Sequence, residues 1–99
     1  IFSLLVVGYD EREVIRISHL LSQYFRYYSE KGQNHFRVIG PSSAVISKIG
    51  DEYRWRLLIL GEMRDKLLIY GKYCLNKFYT HETMSGVKVQ WDIDPLSMI

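Results

Sequence analysis

Residues 52–60, EYRWRLLIL, decide the fold. Successive side chains of an extended strand point to opposite sides. Tyr53, Trp55, Leu57 and Ile59 therefore share one face, and Arg54, Arg56, Leu58 and Leu60 share the other. Such a segment is a strand with one face on a core and two guanidinium groups on the opposite face. Working outward, residues 36–40, FRVIG, read as a strand ended by the turn pair Gly40-Pro41. A small-residue loop, SSAV, follows, then a short segment through Lys48 and Gly50. On the other side the apolar period changes to that of a helix near Arg64, with Leu67, Leu68, Gly71, Cys74, Leu75 and Phe78 on the buried stripe. That helix fades around His81-Glu82-Thr83.

The outer segments repeat the alternation of strand and helix. FSLLVVG at 2–8 is an apolar run of strand length. Asp10 stands as an N-cap, with Glu13 three positions on to close a capping box. Val14, Ile17, Leu21, Tyr24, Phe25 and Tyr28 then recur at helical spacing down to Gly32, a natural stop. VKVQWDID at 87–94 alternates: Val87, Val89, Trp91 and Ile93 face in, Lys88, Gln90, Asp92 and Asp94 face out. The order β-α-β-β-α-β predicts an α+β two-layer sandwich. A four-stranded antiparallel sheet would carry both helices on one face, as in ferredoxin-like folds, leaving its other face solvated or used.

Composition bounds the class of protein. The 99 residues form about one domain, with 47% hydrophobic and 24% charged residues, as in ordinary globular chains. There are no internal repeats, low-complexity tracts or linkers, so residues 1–99 read as a single domain, expected to fold alone as a monomer. The chain begins with Ile1 rather than Met, and is expected to be a fragment of a longer protein. A net charge of +2 does not identify a nucleic-acid binder; only the placement of the charges can. Cys74 is the lone cysteine, which excludes an intrachain disulfide and a thiolate zinc cluster and fits a reducing cytoplasm. No apolar run reaches the roughly 20 residues of a membrane span, and the opening IFSLLVV lacks the basic region of a signal peptide.

The outward arginines are the sharpest functional feature. Arg54 and Arg56 project from the open sheet face, and Arg37, Lys88 and Gln90 join them if the register is favourable. A cationic sheet face holds phosphates through charge-assisted hydrogen bonds and counterion release. Solvation, or pairing with another domain, remains open for the same residues. Trp55 and Trp91 fall on inward phases and are expected in the core. Tyr24, Phe25, Tyr27 and Tyr28 cannot all be buried on one helix; Tyr27 is the exposed ring, and with Lys48 a candidate partner contact. Asp92 and Asp94 lie on one side of a strand with no third ligand beside them, so a structural role near Pro95 is expected rather than metal binding. His19, His35 and His81 are dispersed, and no nucleophile-base arrangement points to catalysis.

Two segments together carry a family resemblance. VIGPSSAVISKIGDEYRWRLL at 38–58 resembles the primosomal protein N′ (PriA) pattern of aliphatic-Gly-Pro, a loop with a basic residue, then Tyr-Arg-Trp before an apolar strand. The closing WDIDPLSMI resembles the hydrophobic-Asp-hydrophobic-Asp-Pro ending of the same family. Gly40, Pro41, Tyr53, Arg54, Trp55, Asp92, Asp94 and Pro95 are the matching residues, and the similarity spans essentially the whole chain. The family's further prolines after Gly-Pro are replaced here by Ser42, Ser43 and Val45.

The resemblance implies the C-terminal domain of a replication-restart protein. Members are ATP-dependent DNA helicases moving 3′ to 5′ that recognise abandoned forks and start primosome reassembly. The resemblance also implies that the ATP, Mg and Zn sites belong to domains upstream; this chain itself carries no GxxxxGK[ST] motif and one cysteine. The family's C-terminal domain has a small ribosomal-protein-like fold and is associated with fork and single-stranded DNA. It packs on the helicase core, near where single-strand DNA-binding protein docks, so that protein and the primosome proteins are expected partners. The expected location is the bacterial cytoplasm, at the nucleoid. The first rival reading is an interaction module holding the helicase core and docking partners. The second is a freestanding ligand-sensing domain, which the fold alone permits.

Overall fold

The structure, a computed structural model, describes residues 1–32 and 36–94. His35 and Pro95, both weighed above, lie outside the described residues. The elements are β1 (Phe2–Gly8), α1 (Glu11–Lys31), β2 (Arg37–Ile49), β3 (Glu52–Leu60), α2 (Arg64–His81) and β4 (Val87–Ile93). The strands form one antiparallel sheet in the order β2-β3-β1-β4. The class is α+β with two helices, as the alternating periods indicate.

One core joins the helix stripes to one face of the sheet. Phe2, Leu4 and Val6 of β1 and Leu57 and Ile59 of β3 are fully buried against Val14, Ile17, Leu21 and Phe25 of α1 and Leu67, Cys74 and Phe78 of α2. β1 has neighbours on both edges, so even its open-face residues Ser3 and Val7 are buried. That is why its sequence reads as a continuous apolar run, whereas β4 at the edge alternates. Gly71 lets α2 approach β1 closely: a Cβ there would lie 2.5 Å from the Phe2 ring.

Asp10 caps α1, its carboxylate accepting from the Arg12 N–H at 3.1 Å. The expected capping box does not close. Glu13 instead accepts from Arg16 at 2.6 and 2.9 Å, and those bonds hold its carboxyl below the usual range. An ion pair one turn along the helix competes with the return to the cap. The buried stripe also takes in Ser18, Ser22 and Ser29, with Tyr24 and Tyr28 only half-buried. Ser18 satisfies its hydroxyl on the Val14 carbonyl at 2.7 Å.

The segment after Gly40-Pro41 departs from expectation. The chain stays extended through SSAV to Ile49, with register shifts between Ile39 and Ser42 and between Ser43 and Lys48. The Gly40-Pro41 peptide is cis. Gly40 has φ +100°, and a Cβ there would stand 3.0 Å from the Arg56 carbonyl oxygen, so glycine permits the bulge. Arg26 of α1 donates to the Val38 and Gly40 carbonyls at 3.3 and 3.2 Å and ties this strand to the helix layer. Turn residues in the sequence thus mark an irregularity within a hairpin arm.

Neither tryptophan is a fully buried core residue. Trp91 takes the inward phase but is 43% exposed, because edge strand β4 has solvent on one flank. Its ring stacks on Phe2 at 5.6 Å, with the Lys72 ammonium 5.4 Å from its centroid. Trp55 is half-buried beside His19. Full burial of a tryptophan would make truncation to alanine cost about 3–5 kcal/mol, so Trp55→Ala is expected to cost about half that, roughly 2 kcal/mol. Urea unfolding checks the value; a loss near the full figure would place the indole in the core.

Candidate nucleic-acid interface

The register determines which polar side chains meet on the open face. Val7 pairs with Arg54 on one side and Lys88 on the other, so Arg54, Val7 and Lys88 form one row across β3, β1 and β4. Leu5 pairs with Arg56 and Gln90, and Arg56 also pairs with Ser42 of β2. The next row carries Ile39, Leu58, Ser3 and Asp92. Four of the five proposed contact residues thus occupy two adjacent rows. The potential is graded, cationic at the Arg54–Lys88 end and closed by the Asp92 carboxylate.

The two arginines are not equivalent. Arg54 donates to the Ile46 carbonyl at 3.0 Å, which fixes its reach over the irregular part of β2. Arg56 is half-buried; burial, and secondarily the Arg54 charge, hold its guanidinium below its ordinary value. It remains cationic at physiological pH, as guanidinium groups do. A partly desolvated cation beside a second cation favours an anion between them.

The remaining candidates lie elsewhere. Arg37 shares the open face but pairs with Leu60, and the Ile39–Leu58 row separates it from Arg56. Lys48 is opposite Tyr53, on the helix-facing phase, with its ammonium 4.9 Å from that ring's centroid. Tyr27 is 52% exposed on α1, where Lys31 donates to its hydroxyl at 2.9 Å. It lines a cavity of about 320 Å³ with Gln23, Tyr24, Tyr28 and His81. A second cavity, about 610 Å³, is bounded by Tyr28, Phe36, Tyr73, Ile69, Lys31 and Lys66. Sequence reasoning missed this one, because its residues come from both helices and from Phe36, just before β2. The exposed Ile69 and Tyr73, off the buried stripe of α2, are the signal it overlooked.

Other chemistry is accounted for by structure. Asp92 accepts from the Ile93 N–H at 2.8 Å. Asp94 pairs with Arg64 at 3.1 Å. Among the described residues no three His, Cys, Asp or Glu side chains converge as a metal site. No helix there is long and apolar enough to cross a membrane. Burial pushes the Cys74 thiol up to about 12, although the Tyr70 hydroxyl acts in the opposite sense. Thiolate is the reactive form. Cys74 is therefore expected to resist a disulfide reagent at pH 8 in the folded chain and to react at the unfolding rate; fast stoichiometric labelling would contradict its burial.

Fold and site together define a small α+β module with a cationic end on its open sheet face. Comparison with known proteins gives this class a biological setting. The chain is 27% identical over 93 residues to the replication restart protein PriA of Rickettsia typhi, and equally so to that of Rickettsia prowazekii. It is 25% identical over 95 residues to the PriA of Rickettsia felis. These alignments cover 94–96% of the chain and 13% of each relative's length. The similarity read from residues 38–58 and the closing segment thus extends over nearly the whole chain. No family model matches the sequence.

Proposed function

We propose that this chain is an accessory DNA-binding domain of a replication-restart protein of the PriA kind, holding fork or single-stranded DNA on its open sheet face. The observation that carries the reading is the register that sets Arg54 beside Lys88, and Arg56 beside Gln90, across the central strand. Phosphates are bound by such cations with little regard for sequence, and Gln90 and Ser42 add neutral donors at the margin. In the same reading the whole protein is an ATP-dependent 3′-to-5′ helicase acting in the bacterial cytoplasm. ATP, Mg and Zn belong to its other domains, and ferredoxin-like packing leaves this sheet face available to the fork.

The test is binding of the chain to single-stranded, duplex and forked DNA at two salt concentrations. Affinity should fall steeply with salt, since each phosphate contact adds about 0.7–0.9 to the slope of log affinity against log salt. Absence of DNA binding at low salt would refute the reading. A second reading, docking of the helicase core, single-strand DNA-binding protein or primosome proteins, is favoured by the aromatic and lysine-lined cavity around Tyr28 and Tyr73. Loss of partner binding on Tyr73→Ala, with DNA affinity unchanged, would select it.

A further inference from the structure

β4 is an edge strand with no neighbour on its outer side among the described residues. Its hydrogen-bonding phase can be read from the Asp94 N–H, which donates to the Ile1 carbonyl at 2.6 Å. Antiparallel pairing alternates by two. In the continuous β1–β4 register, Asp92, Gln90 and Lys88 therefore bond inward to β1. Val87, Val89 and Trp91 turn their N–H and C=O groups to the open edge, as does Ile93, whose N–H is already taken by the Asp92 carboxylate. An unpaired row of this kind is a template for another strand.

The side chains choose the strand that fits. Lys88 and Asp92 are exposed on the same face, one on each side of Gln90 at equal spacing. A second β4 laid antiparallel about a two-fold axis at Gln90 sets each Lys88 opposite the Asp92 of the second copy. On the helix-facing side it sets Val89 opposite Trp91, an aromatic and β-branched pair that covers the exposed indole. Those same two residues carry outward backbone groups, so each Val89–Trp91 pair exchanges both of its hydrogen bonds. Neighbouring registers fail. Centring on Lys88 or on Asp92 sets like charge on like charge, which is destabilising. Centring on Val89 or on Trp91 puts Gln90 opposite Lys88 or Asp92, and the Lys88–Asp92 pairing is lost.

We propose that the chain forms a symmetric dimer through β4, with Gln90 on the two-fold axis and reciprocal Lys88–Asp92 pairs fixing the register. Such an interface is isologous: one strand supplies both halves of every contact. The amphipathic helices and alternating strands predicted one closed core and a monomer; the strand order adds an edge that those local patterns do not reveal. The proposal does not rest on the DNA reading, and its readout is mass.

A seven-residue strand pair is a small interface, below roughly 1,200 Å², so the dimer should form at tens to hundreds of micromolar chain. Sedimentation of the chain across that range is expected to move from 11.7 kDa toward twice that mass. Lys88→Asp and Asp92→Lys should each weaken dimerisation at least tenfold, because both cross-strand pairs become like-charged. Circular dichroism of each variant should match the parent, since both side chains are exposed. Mixed in equal amounts, the two variants should dimerise again, because every facing pair is then opposite in charge. A single mass at all concentrations would overturn the proposal. So would variants that dimerise as tightly as the parent, or a mixture that fails to recover.

Discussion

Phe25→Ala is expected to lower folding stability by about 3–5 kcal/mol, the range for truncating a fully buried aromatic. Phe25 has no exposed surface and sits where both layers meet. Its ring is 6.2 Å from Phe2 of β1, tilted, and 5.6 Å from Tyr70 of α2, edge-on. The Tyr70 hydroxyl donates to the Phe25 carbonyl, so the same residue anchors a buried polar group. Neighbours fixed on a strand and a second helix cannot collapse fully into the space left, which places the expected loss toward the upper end. A domain of this size has about 5–15 kcal/mol in total. The variant should therefore be largely destabilised at 37 °C, with a lowered urea midpoint and an unchanged m-value if unfolding stays two-state. A loss below about 1 kcal/mol would mean that the helix–sheet contact is not built around this ring.

The second large effect concerns affinity. Arg54→Ala combined with Arg56→Ala is expected to flatten the salt slope of DNA binding by roughly 1.4–1.8, two phosphate contacts' worth. Sequence preference should change little, because phosphates carry no base information. Folding should survive, since both guanidinium groups lie on the face away from the core. Arg54 does have a structural bond, to the Ile46 carbonyl, so its single variant serves as the control. An equal fall in affinity with an unchanged slope would mean that the arginines act by shaping β2. If neither affinity nor slope changes, the open face is not the DNA surface, and docking through the helix-side cavity becomes the better account. Lys88→Ala should then be neutral for DNA as well.

Much of the fold was legible in the chain because its signals are local. The alternation in 52–60 and 87–94 and the helical stripe of α1 record which side of each element meets apolar neighbours. Any arrangement that buries those stripes must satisfy them, so element type and order followed. The outward placement of Arg54 and Arg56 followed from the same period-two rule. The Gly40-Pro41 segment was not legible, because glycine and proline suit a turn and a bulge equally; only pairing with β3 keeps residues 42–49 extended.

The candidate site divides along the same line. That Arg54, Arg56, Lys88 and Gln90 point outward was set by sequence. That they meet in two rows, while Arg37 and Lys48 do not, was set by the β1 register and the β2 bulges. Trp91 shows the limit most clearly. Its inward phase is a property of the strand, but its exposure depends on β4 lying at the sheet edge. Sequence period determines the direction of a side chain relative to its own backbone. What lies in that direction depends on residues distant in the chain, and only the tertiary structure decides it.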